Sequence, residues 1–140
     1  MEFIITEKVF NYKDFKCVIT FNTISLHRCG YVAVPYYEYP NINFLAKYFN
    51  CHGGISYVER YLYNQQDNNV WWIGFDCHQS PNDGIDLEKA KTIYNEQELN
   101  EILAKLPPNY NHQTEYIIDV VEEELKSIVD QVLGINKSTE

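Results

Sequence analysis

The chain has 140 residues, enough for one core, and its 11 basic and 20 acidic side chains give a formal charge of −9. That charge repels a phosphate backbone and excludes general DNA or RNA binding through counterion release. No apolar run reaches the roughly 18 residues of a membrane span, and Met1 to Glu7 has neither the basic opening nor the apolar stretch of a signal peptide, so a cytoplasmic protein is expected, with no membrane partner.

The first third reads as β structure. Phe15 to Phe21 mixes β-branched and aromatic residues, and Gly30 to Pro35 follows after a short connection, closed by a proline that cannot donate to a ladder. The two should be antiparallel neighbours. Asn41 to Asn50 places Ile42, Leu45, Ala46 and Phe49 at helical spacing, predicting a short inserted helix that ends before Gly53-Gly54. Two further strands are expected, Ile55 to Tyr63 and Val70 to Cys77, joined as a hairpin by the polar run Asn64 to Asn69.

Beyond the loop Gln79 to Gly84, the period becomes helical, weakly from residue 86 and then over Glu96 to Leu106, stopped by Pro107-Pro108. Glu115 to Leu133 is the strongest helix. It aligns Ile117, Val121, Leu125, Ile128 and Val132 on one stripe, with Thr114 near its start and Gly134 as its cap. Glu124 projects at the margin of that stripe. The expected fold is α+β: an antiparallel sheet of about four or five strands, a C-terminal helix packed on one face, and short helices in insertions. Residues 1–135 form the single domain and 136–140 a tail, and the reading admits a homo-oligomer.

The cysteines Cys17, Cys29, Cys51 and Cys77 have no C-x-x-C spacing and read as buried thiols. Cys51-His52 and Cys77-His78 offer the ligand types zinc prefers, but neighbours in an extended segment point to opposite faces, so no metal is expected. No cofactor motif occurs either.

Chemistry-bearing residues gather in three runs at strand ends: His27 to Val32, His52 to Tyr57, and Trp71 to His78. Sites form at such ends because the sheet fixes them while loops leave them open. His52-Gly53-Gly54 would let backbone N–H groups approach an oxygen, or serve only as a turn needing a positive φ. Asp76 would orient His52 or His78, accept a ligand hydroxyl, or cap the following turn. Arg28 would grip a phosphate, and Glu124 would anchor Arg28 from the last helix. Of Trp71 and Trp72, one ring enters the core and the other is offered for stacking.

These runs, Cys29 to Val34, His52 to Tyr57 and Trp71 to Cys77, resemble a family of small, mostly phage-encoded proteins with C-G-Y-V-x-V, H-G-G-[LI]-[TS]-Y and W-W-x-G-F-D-C segments. Tyr116, Glu124 and Gln131 in the last helical region also look like that family's ending. The family places a histidine one residue beyond the cysteine and an aspartate after a glycine, whereas here His78 directly follows Cys77 and Asp83 precedes Gly84. The resemblance implies a phage-type origin and a shared site, not a reaction.

No hydrolase, kinase or P-loop signature is present, which favours a binding protein over an enzyme. The leading expectation is capture of a small nucleotide-like ligand, a host defence signal withdrawn by sequestration. Arg28, Gly53 and Gly54 would take phosphate, Tyr57 or Trp72 the base, and Asp76 the ribose hydroxyls, all converging with His52 and His78 on one concavity. The alternatives are an enzyme using His52 and Asp76 on such a ligand, and an acidic inhibitor covering a nucleic-acid-binding surface of a host defence protein.

Overall fold

The computed structural model describes residues 3–135, and the tail read at 136–140 lies outside the described residues. Strands β1 (Ile4–Tyr12), β2 (Phe15–Asn22), β3 (Arg28–Pro35), β4 (Tyr57–Glu59) and β5 (Val70–Asp76) form one antiparallel sheet in the order β1-β2-β3-β5-β4. Helices α1 (Ile42–Leu45), α2 (Leu87–Ile93), α3 (Glu96–Leu103) and α4 (Ile118–Leu133) complete the expected α+β arrangement. Lys13 and Asp14 both have positive φ and turn β1 directly back onto β2, as a tight hairpin demands.

Strand alternation sorts the side chains into two faces. Cys17 and Ile19 of β2, Val32 and Val34 of β3, and Ile73 and Phe75 of β5 meet Val121, Leu125, Ile128, Val129 and Val132 of α4 in the main core. Gly30 sets how close the helix lies: a β-carbon there would stand 2.9 Å from a Leu125 methyl. Among the described residues, no helix packs on the other face. It is covered by the segment after β4, where Leu62 packs with Val18, Ala33 and Trp72. Phe21, Leu26, Ile85, Ala90 and Leu99 form a smaller cluster that docks α2 and α3 beside the end of β2.

The structure shortens several expected elements. The strand expected over 55–63 is limited to Tyr57–Glu59, because Leu62 leaves the ladder to bury itself on the helix-free face. The helix expected at 41–50 is one α turn followed by a 3₁₀ turn, Ala46–Tyr48, with Phe49 extended. The last helix begins at Ile118 rather than near 115. Ile117 is its exposed N-cap and not part of the buried stripe, since Thr114 Oγ1 accepts the Tyr116 N–H and holds the preceding residues in a turn. Gly134 caps the helix with φ −75°, without the left-handed conformation its type allows.

Candidate functional site

The end of the sheet where β3 begins and β5 finishes bears two polar clusters on the helix side and a third on the opposite face. Arg28 lies in the first. Its Nε donates to Glu7 Oε1 at 2.6 Å, one terminal nitrogen donates to Glu7 Oε2 at 3.0 Å, and the other donates to Asp86. Lys89 adds a second cation at 3.3 Å from Glu7, and the guanidinium lies over the Phe21 ring. The Arg28, Glu7 and Asp86 side chains are 4%, 5% and 6% exposed. Burial opposes the ionised form of Asp86, but the Lys89 N–H and the Arg28 guanidinium outweigh it and hold the carboxyl below its usual range.

This arrangement corrects two expectations. Arg28 is not offered to a phosphate, because its donors are committed to buried carboxylates. Glu124 does not anchor it either. Phe21↔Arg28 pairing places the guanidinium against β1 and the start of α2, and those elements supply the partners.

Glu124 belongs to the second cluster, which clamps residues 50–52. Gln131 Oε1 accepts the Asn50 N–H at 2.7 Å while Gln131 Nε2 donates to Asn50 O at 2.9 Å. Glu124 Oε1 accepts the His52 N–H at 2.7 Å. The His52 ring is held at both nitrogens, Nε2 to Asp83 Oδ2 at 3.0 Å and Nδ1 to the Tyr116 hydroxyl at 2.7 Å, with the two rings stacked 4.0 Å apart. One tautomer satisfies both bonds: Nε2–H donates to Asp83 and Nδ1 accepts from Tyr116. Asp83 also accepts the N–H groups of Gln79 and Ser80. Burial resists its ionisation, yet His52 and these amides together keep its carboxyl below the usual range. Burial, and then the charge of Asp83, pushes the Tyr116 phenol up, so it stays a hydroxyl donor. Gly53 and Gly54 both adopt positive φ, where the turn reading required it at one glycine.

The third cluster is centred on Asp76. Asp76 pairs with Cys29 in the ladder, and its neighbour Phe75 faces α4, so alternation turns the Asp76 side chain to the helix-free face. Asp76 Oδ1 accepts the His78 N–H at 3.0 Å and Gln79 Nε2 at 2.9 Å, which is the turn-capping arrangement. The His78 ring sits between His27, at 4.7 Å, and Tyr110, at 4.5 Å. Burial, reinforced by His78, pushes the His27 imidazole down to about 4.

The residues expected in one concavity have separate anchors: His52 is held by Glu124 and Asp83, Asp76 caps the turn at His78, and Tyr57 lies edge-on to Tyr31 on the helix-free face. Gln79 joins the first two, with its N–H on Asp83, its side-chain amide on Asp76 and its Cγ 2.3 Å from where a Gly53 β-carbon would stand. Trp72 is fully buried beneath Leu62 and offers no stacking surface. Its register opposite Ala33 turns it to the helix-free face, while Trp71 is the ring directed to the helix side. Sequence reasoning missed Glu7 and Asp86 altogether. Asp86 carries a legible signal, an aspartate whose side chain accepts the Lys89 N–H as the cap of α2; Glu7 carries none.

Beside the His52 clamp, a recess of about 220 Å³ is lined by Asp83, Glu115, Tyr116, Asn82, His112 and Gln113. Among the described residues, its lining contains two carboxylates and neither lysine nor arginine. Burial pushes the Cys51 thiol up to about 11 and raises the Cys77 thiol too, so neither favours the thiolate that a metal takes. Among the described residues, no three His, Cys, Asp or Glu side chains are grouped to hold a metal ion. No protein-family model, curated protein or solved structure matches this chain.

Proposed function

We propose that this protein binds a small ring-bearing ligand rich in hydroxyl or amine donors, of the nucleoside or amino-sugar class, in the recess beside Tyr116. The observation that carries the reading is the lining itself: Asp83, Glu115 and the Tyr116 oxygen are acceptors, and among the described residues no lysine or arginine stands there to neutralise a phosphate. The clamp on His52 holds the recess wall in one geometry, which lowers the ordering cost of binding. A nucleotide-like ligand would thus be recognised through its base and ribose, and the phage-type origin implied by the motif resemblance makes sequestration of a host signal the role. Calorimetric titration with adenosine and with adenosine monophosphate tests it. Adenosine should bind at least as tightly as its phosphate, and clear preference for the monophosphate would overturn the reading.

The Asp83–His52–Tyr116 series favours a second reading, acid–base chemistry in which the Tyr116 oxygen takes a proton from the ligand as its own proton passes to His52 Nδ1 and the Nε2 proton passes to Asp83. Incubating the protein with adenosine and following the mass of the small molecule separates the two. A binding protein returns it unchanged after denaturation, whereas a new mass that disappears in Tyr116→Phe supports the enzyme.

A further inference from the structure

The helix-free face of the sheet holds a second cavity, independent of the polar recess and of very different character. Its floor is formed by Thr20, Tyr31 and Tyr57, its wall by Ile4 and Thr6 of the β1 edge, and its roof by residues 61–63. The volume is about 150 Å³, and an apolar cavity of that size accommodates one benzene ring.

The floor owes its shape to an absent side chain. Tyr31, Gly74 and Tyr57 lie side by side across β3, β5 and β4. A β-carbon on Gly74 would come within 2.4 Å of the Tyr31 ring, so glycine is what lets the Tyr31 ring lie across the sheet and meet Tyr57 edge-on at 5.2 Å. The roof is fastened rather than loose. Leu62 is buried on Val18, Ala33 and Trp72, the Tyr57 hydroxyl donates to Tyr61 O, and Arg60 donates to Val70 O and Asn68 O. Among the described residues, the lining contains no charged side chain, and its polar side chains are threonines and tyrosines. Ring faces and edges with hydroxyls at the rim suit a neutral aromatic ring carrying one hydroxyl of its own.

We propose that this cavity is a binding site for a single-ring phenol-class molecule, inserted between the Tyr31–Tyr57 pair and the roof at Leu62. The site takes no phosphate and no charge, because each would lose water without gaining a partner of opposite sign. It does not depend on the recess beside Tyr116.

The probes are p-cresol and phenyl phosphate, followed by NMR of the Ile4 and Leu62 methyl groups and by the fluorescence of Trp72, which packs against Leu62. p-Cresol should shift these methyl signals saturably, and phenyl phosphate should leave them in place. Thr6→Phe, at an exposed edge position, puts a ring into the cavity and should raise the p-cresol Kd by about tenfold or more. Should that variant fail to fold, Tyr61→Ala removes part of the roof from an exposed position and should weaken binding in the same direction. Shifts that never saturate, equal response to phenyl phosphate, unchanged affinity in the folded variant, or saturable shifts confined to Leu87, Leu99 and Leu103 on the α2–α3 side would each overturn the proposal.

Discussion

The Arg28 and His52 clusters lie at the same end of the sheet and use related chemistry, a nitrogen-bearing side chain fixed by oxygen partners, yet they differ in exposure. The Arg28, Glu7 and Asp86 side chains are nearly sealed, whereas His52 and Asp83 keep 20% and 10% of their surface and stand beside a recess. In the sealed cluster the charges satisfy one another and tie β1, β3 and the start of α2 together. In the open one, the carboxylate and the phenol fix the ring of a loop residue and leave acceptors facing solvent. Residue type thus gives the interaction, while burial decides whether that interaction serves the fold or a ligand.

The sharpest way to break this comparison is Arg28→Met. It leaves Glu7 and Asp86 as buried carboxylates without their main counter-charge, and urea denaturation should show a loss of about 3–5 kcal/mol, the range for removing one partner of a buried pair. A loss within the surface range of about 1 kcal/mol would mean that water reaches the cluster.

Acid should separate the His27–His78 contact from both of these clusters. His27 titrates near 4 in the folded chain against 6.5 unfolded, so the unfolded state binds more protons between those values, and stability falls as pH drops through that window. Asp86 and Asp83, depressed below 3.8, contribute stability that is present above that value and lost only as pH falls through their lower folded values. Denaturation midpoints at several pH values should therefore decline in two stages, and His27→Gln should flatten the first. An unchanged upper stage in that variant would remove His27 as its cause.

Smaller effects are expected at the clamp. Gln131→Ala removes two bonds to Asn50 at a half-exposed position and should cost about 1 kcal/mol, with faster amide exchange at Asn50 as the specific sign. Tyr116→Phe keeps the ring stacking and loses one hydroxyl, so the melting temperature should barely move while adenosine affinity falls. Equal affinity in that variant would take Tyr116 out of the site and leave it a purely structural partner of His52.

Much of the fold is legible along the chain because its elements announce themselves locally. The apolar run from Val70, the stripe from Val121 to Val132 and the Pro107-Pro108 stop give strand, helix and boundary within two or three residues. β1 is harder to read, since its edge position lets it alternate exposed Lys8 and Val9 with half-buried Phe10 and Tyr12, a weak apolar pattern. The strand expected from Ile55 to Tyr63 fails for a tertiary reason: Leu62 gains more by covering Trp72 than by continuing the ladder.

The site was legible in its ingredients and not in its grouping. The sequence by itself determined that histidines, glycines, an aspartate and an arginine would stand at strand ends, because hydrophobic periodicity sets where strands stop. Tyr116, Glu124 and Gln131, noted through the motif resemblance, all reach residues 50–52, but nothing in their spacing says so. Only the tertiary structure decided that Arg28 would meet Glu7 and Asp86, that His52 would take Asp83 instead of Asp76, and that Trp72 would be buried. The physical reason is that strand alternation assigns each side chain to a face. Which partner waits there depends on strand order and on the helix packed above it, and both are settled by contacts between residues far apart in the chain.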